Sequence, residues 1–135
     1  MKWEKQESLR KANGKALVRL GKERQDIVVL EAEIAKSTQT VEFWNAYPDR
    51  FYNIGIAEGN MAGVAAGVAT TGLLPICSTY ATFMSMRACE QIRQSICYPG
   101  LNVKLVATHG GLSTGIDGAS HQGIEDIAIF RSLPE

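Results

Sequence analysis

Four short strand-like runs, IVVLEA, FYNI, LPICS and VKLVAT, alternate along this chain with segments whose apolar residues recur at helical spacing. That alternation constrains the fold more than any other feature. It implies parallel βαβ units, with the strands in one open sheet and helices on both of its faces. The first helix is expected over residues 7–22, where Leu9, Ala12, Ala16, Leu17 and Leu20 form one apolar face opposite a charged one. Strands are predicted at 27–32, 51–54, 74–78 and 103–108. Between them the pattern predicts a short helix ending before Pro48, an apolar helix over 58–71 stopped by Gly72, and a long helix over 81–97. The polar KSTQT reads as a connection. A glycine-rich loop follows over 110–118, then a last helix over 122–131. At 135 residues, without tandem repeats or a linker, residues 1–135 read as one α/β domain with an open, mainly parallel sheet.

Composition excludes several function classes. Lys plus Arg equals Asp plus Glu, 14 each, and there is no basic stripe, so nucleic acid is not an expected partner. MKWEKQESLRK lacks the apolar core of a signal peptide. The longest uncharged stretch, from Met61 to Met86, is broken by Gly, Pro, Thr and Ser, so it reads as buried helix, strand and helix rather than a membrane span. Three cysteines, Cys77, Cys89 and Cys97, lack metal-site spacing and read as free thiols, which places the chain in the cytoplasm.

In open parallel sheets ligands collect at the carboxyl ends of the strands. Here those ends carry Glu33 and Ser37, then Glu58, then Tyr80 and Phe83, then His109, Asp117 and His121. Glu58 opens an apolar helix just after a glycine turn. It reads either as a first-turn carboxylate favoured by the helix dipole, or as a functional acid whose apolar surroundings favour a proton shared with a heterocycle. Gly59, Gly63 and Gly67 form a small-residue stripe beside it that lets another backbone approach. Tyr80, Phe83 and Met86 recur every three residues, as core packing or as a platform for a flat ring. The segment THGGLSTGIDGASHQGIED holds both histidines. Zinc is disfavoured by their wide spacing and the absence of a nearby cysteine. Ser113 and Ser120 lack the nucleophile-elbow context, and the glycines match no phosphate-loop pattern.

DIVVLEAEIAKSTQT, RFYNIGIAEGNMAGVAAGVATTGLLPICSTYATF and LNVKLVATHGGLSTGIDGASHQGIEDIAIFRSLP, in this order, resemble the pyrimidine-binding domain of transketolases over nearly the whole chain. The likeness is to the C-terminal subunit of transketolases made as two polypeptides. 1-Deoxyxylulose-5-phosphate synthase and the 2-oxoacid dehydrogenase β-subunit share the fold. The resemblance implies that Glu58 hydrogen-bonds N1′ of the thiamine diphosphate aminopyrimidine, favouring the tautomer whose 4′-nitrogen takes the thiazolium proton. It also implies a pyrimidine wall of Tyr80, Phe83 and Met86, with Met86 standing where some members carry an aromatic. Asp117 and His121 match residues that bind the donor's hydroxyls, with His121 catalytic as well. His109 matches a residue of the substrate channel, and Ser37 falls at a phosphate-contact position.

The G-D-G…N signature that binds the diphosphate and its metal appears nowhere in this sequence. The resemblance therefore implies an N-terminal partner subunit that holds the diphosphate with magnesium or calcium, no metal on this chain, and a shared cofactor; the glycine stripe beside Glu58 and its apolar neighbours imply self-association when that partner is missing. Family members continue beyond the position of Glu135, so a shortened domain is expected. The expected activity is transfer of a two-carbon ketol unit between sugar phosphates, absent in the isolated chain. Two alternatives are a non-catalytic assembly module of the same fold and a subunit of a related enzyme such as 1-deoxyxylulose-5-phosphate synthase. A flavodoxin-like ligand-binding domain is disfavoured by the missing phosphate loop.

Overall fold

The computed structural model describes residues 7–112 and 114–134. Helix α1 (Leu9–Glu23) leads into β1 (Ile27–Glu31), then α2 (Ala35–Thr38), α3 (Val41–Ala46), a 3-10 turn (Pro48–Arg50) and β2 (Phe51–Asn53). Next come α4 (Glu58–Thr70), β3 (Leu74–Tyr80), α5 (Ala81–Arg87), α6 (Cys89–Gln91), a π-helical turn (Ile92–Cys97) and β4 (Lys104–Thr108). Two 3-10 turns (Gly115–Asp117 and Ala119–His121) precede α7 (Asp126–Arg131).

All four strands are parallel, in the order β2-β1-β3-β4. The inner strands β1 and β3 are buried along their whole length, as expected for a sheet covered on both faces. Side chains alternate between two cores. Ile27, Val29, Leu74 and Ile76 pack with Leu17 of α1 and Phe43 of α3. Val28, Leu30 and Cys77 pack on the other face with Met61, Ala62, Ala65 and Ala66 of α4, Met84 of α5, and Ile92 and Ile96 of the π turn.

Four elements depart from the sequence pattern. KSTQT begins inside the short helix α2 rather than forming a plain connection. The helix expected over 81–97 is interrupted at Ala88 (φ −105°, ψ 0°), then resumes and widens into a π turn. β3 runs two residues further, because Thr79 and Tyr80 pair with Ala107 and Thr108. The last helix starts at Asp126 rather than 122, since Gly111 N–H donates to the carbonyl of Gly123 at 2.7 Å and holds that stretch as an extended bridge.

Candidate functional site

Strand β3 passes into α5 with no intervening loop, and Tyr80, still extended (φ −70°, ψ 147°), is the residue at the switch. Phe83 then lies one turn further on. The two rings are nearly parallel, 14° apart with centroids at 5.8 Å, so the three-residue spacing does build a platform.

The loop after β4 folds back onto this platform. His109 turns through the left-handed region (φ 55°), and its ring lies 4.2 Å from that of Tyr80. A Cβ on Gly123 would stand 3.0 Å from the backbone nitrogen of Thr82, so only glycine lets the returning strand lie this close to α5. That approach sets His121 edge-on to Phe83 at 5.0 Å and to Tyr80 at 5.9 Å. His121 Nδ1 is 3.0 Å from the Ser120 hydroxyl, and His109 Nδ1 is 2.9 Å from the Thr108 hydroxyl. Burial holds His109 below the usual imidazole value, and the Arg10 charge adds to that while Asp117 opposes it. His109 is therefore a neutral hydrogen-bonding group near pH 7.

Glu58 is the first residue of α4 and only 3% exposed. Arg87, at the end of α5, donates to its Oε1 at 2.9 Å, and the same guanidinium sits 3.8 Å from the centre of the Phe83 ring. The surroundings of Glu58 are thus not apolar throughout, as its helix suggested: a cation ties the carboxylate to the aromatic platform. Among the described residues the second carboxylate oxygen has no hydrogen-bond partner. A free acceptor near a half-buried ring stack fits a nitrogen of a flat heterocycle.

Next to Tyr80 and His109 opens a cavity of about 820 Å³. Ser37, Tyr80, His109 and Asp117 line it, together with Arg10, Asn13 and Thr114, which the sequence pattern did not single out. Arg10 and Asn13 belong to α1, read from sequence only as an amphipathic surface helix; its docking brings their side of the helix to the strand ends. Arg10 donates to the Ser37 carbonyl at 3.4 Å. Among the described residues Asn13 Nδ2 and Thr114 Oγ1 are buried without a hydrogen-bond partner, and Thr114 is 7% exposed. Unpaired buried polar atoms are destabilising.

Glu58, Phe83 and His121 do not line the cavity; they reach it through Tyr80. Met86 takes no part in the ring contacts, being 52% exposed with its sulfur 3.9 Å from the Thr82 hydroxyl. Glu33 lies beside β2, accepting from Asn53 Nδ2 at 2.6 Å. Ser113 lies outside the described residues. Among those residues no cluster of three His, Cys, Asp or Glu side chains can hold a metal ion, and no helix is long and apolar enough to cross a membrane.

A parallel α/β sheet whose carboxyl edge gathers an aromatic pair, two imidazoles and a buried glutamate near a cavity defines an α/β domain of the open-sheet class. Residues 5–135 match the family model "Transketolase, pyrimidine binding domain". The chain belongs to that family. It is 52% identical over 126 residues to a Methanocaldococcus jannaschii chain assigned as a transketolase C-terminal section, covering 93% of this chain and 40% of that one. It is 42% identical to human transketolase over 93% of its length and 20% of the human chain. Among solved structures it superposes on a split-gene transketolase described as an inactive β4 tetramer, with TM-score 0.79 and 58% identity, covering 93% of this chain and 40% of that one. The chain thus spans 40% or less of the length of each of these relatives. Relatives named 1-deoxy-D-xylulose-5-phosphate synthase also match, one from Streptomyces griseus at 41% identity over 90% of this chain and 19% of its own.

Proposed function

We propose that this chain forms the pyrimidine-gripping and sugar-facing wall of a two-subunit transketolase, completed by a partner chain that binds the diphosphate and its metal. When bound, thiamine diphosphate supplies the carbanion chemistry that carries a two-carbon ketol unit from a ketose phosphate to an aldose phosphate. The observation that carries this reading is the geometry of Glu58: buried, held at one oxygen by Arg87, open at the other, and joined through that guanidinium to Phe83 and Tyr80.

In this reading Tyr80 and Phe83 hold the pyrimidine ring and exclude water from it, while Met86 lies at the rim. The free oxygen of Glu58 shares a proton with N1′ of that ring. His121, edge-on to Phe83, and Asp117 take the donor's hydroxyls, and His121 is placed to move a proton to or from substrate oxygen. Ser37 and His109, with Arg10, face the phosphate-bearing end of the sugar across the cavity. The likeness to a transketolase C-terminal section and to a split-gene transketolase supports a partner that holds the diphosphate.

The test is Glu58→Gln in the enzyme assembled with its diphosphate-binding partner. An amide keeps the size and the Arg87 contact but cannot take part in the same proton equilibrium. Ketol transfer should fall by roughly 10²-fold or more, in line with loss of an acid–base group, with the circular dichroism of the fold unchanged. Near-normal turnover would remove Glu58 from the role assigned to it.

A further inference from the structure

Between β1 and α3 the backbone leaves the sheet, passes twice through the left-handed region, at Glu33 (φ 67°) and Gln39 (φ 65°), and carries Ser37 to the cavity wall. Residues other than glycine rarely adopt such angles unless their surroundings over-determine them. Glu33 is held by Asn53, whose Oδ1 accepts its N–H at 3.1 Å, and the turn between the two left-handed residues is held by Glu31, the last residue of β1 and fully buried. Its Oε2 accepts the Ile34 N–H at 2.7 Å, and its Oε1 accepts the Thr38 hydroxyl at 3.0 Å. The Thr38 hydroxyl lies in turn 3.0 Å from that of Thr40, and both threonines are fully buried. Ile34 and Thr38 bound the single turn on which Ser37 sits, with Ser37 N–H and Thr38 N–H both donating to the Ile34 carbonyl. One carboxylate therefore clamps the turn at both ends. A carboxylate removed from water is unfavourable unless hydrogen-bonded, so it is a demanding choice for a purely packing position.

We infer that Glu31, acting through Thr38, is a positioning residue that fixes the Ala35–Thr38 turn so that Ser37 meets a sugar phosphate in the cavity. Glu31 itself does not touch the substrate. The inference rests on the sugar-phosphate reading of the cavity given above.

The experiment uses the enzyme assembled with its partner subunit and three variants besides a Ser37→Ala reference. Thr38→Val keeps the volume and removes the hydroxyl, Glu31→Gln removes one of the two acceptors, and Thr38→Ser restores the hydroxyl. Thr38→Val and Glu31→Gln should each raise KM for the ketose-phosphate donor about tenfold, the size of one lost hydrogen bond, with kcat within about twofold. Thr38→Ser should return KM to the wild-type value. Amide hydrogen exchange over residues 34–40 should quicken in Thr38→Val while that of α4 stays unchanged.

Wild-type KM in Thr38→Val and Glu31→Gln, with KM raised in Ser37→Ala, overturns the positioning role and leaves the cavity reading standing. A fall in kcat alone, as when fewer molecules fold, overturns it too. Should Glu31→Gln not fold, Thr38→Val decides. If Ser37→Ala also keeps its KM, the cavity reading fails and takes this inference with it.

Discussion

Burial pushes the carboxyl of Glu31 up to about 7, against the lowering effect of its hydrogen bonds to Ile34 and Thr38; the neighbouring charge of Glu33 adds to the rise. The ordinary value in an unfolded chain is near 4.5. Between these values the folded chain binds the proton more tightly than the unfolded one. The stability this group contributes is thus complete below about pH 4.5 and is lost as pH rises through 7. Urea midpoints across that window should fall with rising pH more steeply in wild type than in Glu31→Gln, with a difference on the order of a few kcal/mol at most. Equal slopes would show that Glu31 titrates alike in both states. The sequence pattern places Glu31 within the strand over 27–32 and Glu33 just after it, among the polar residues of the strand ends. Strand alternation does not reveal which of two nearby acids turns inward, because that depends on Thr38 and Thr40 closing over it.

Glycines within helices show how packing between elements reverses a local preference. In α1, a Cβ on Gly21 would lie 2.6 Å from ring carbons of both Phe43 and Tyr47, so α3 can dock this closely only on a residue with no side chain. In α4, a Cβ on Gly63 would meet nothing within 4 Å. Alanine is favoured over glycine in a helix interior by up to about 1 kcal/mol. Gly63→Ala should therefore raise stability by about that amount. Gly21→Ala should lower it by about 1–2 kcal/mol, since overpacking outweighs propensity. Denaturant melts of the two variants check both signs, and a stabilised Gly21→Ala would mean that α3 shifts freely. Sequence placed both glycines on helices but not against neighbours. The break at Ala88 was hidden for a similar reason: helical periodicity continues through it, while the bend follows from burying Ala88, Ile92 and Ile96 beside α4.

For the whole chain, the shared-site reading predicts that the isolated protein binds thiamine diphosphate weakly or not at all and shows no ketol transfer. The diphosphate lacks a metal-ligand motif here, and the pyrimidine contacts would stand half open to water. Ile56, Val64 and Met86 are exposed at 75%, 38% and 52%, on or next to α4 and α5, and the outer strand β4 is partly uncovered. Exposed apolar surface and an open sheet edge favour self-association. Calorimetry with cofactor and magnesium, paired with sizing of the free chain, tests both halves. Micromolar binding by a clean monomer would contradict them.

The order of strands and helices, the edge where polar residues collect, and the likeness to a transketolase domain were all legible in the sequence. Each depends on short-range periodicity or on residues spaced a few positions apart. Tertiary structure alone decided that Arg87 reaches Glu58 from a helix 29 residues away, and that α1 brings Arg10 and Asn13 to the cavity. It also decided that Glu31 turns inward to clamp the Ser37 turn. These contacts depend on how separate elements dock, and docking is set by buried surface summed over the whole domain, which no local pattern records.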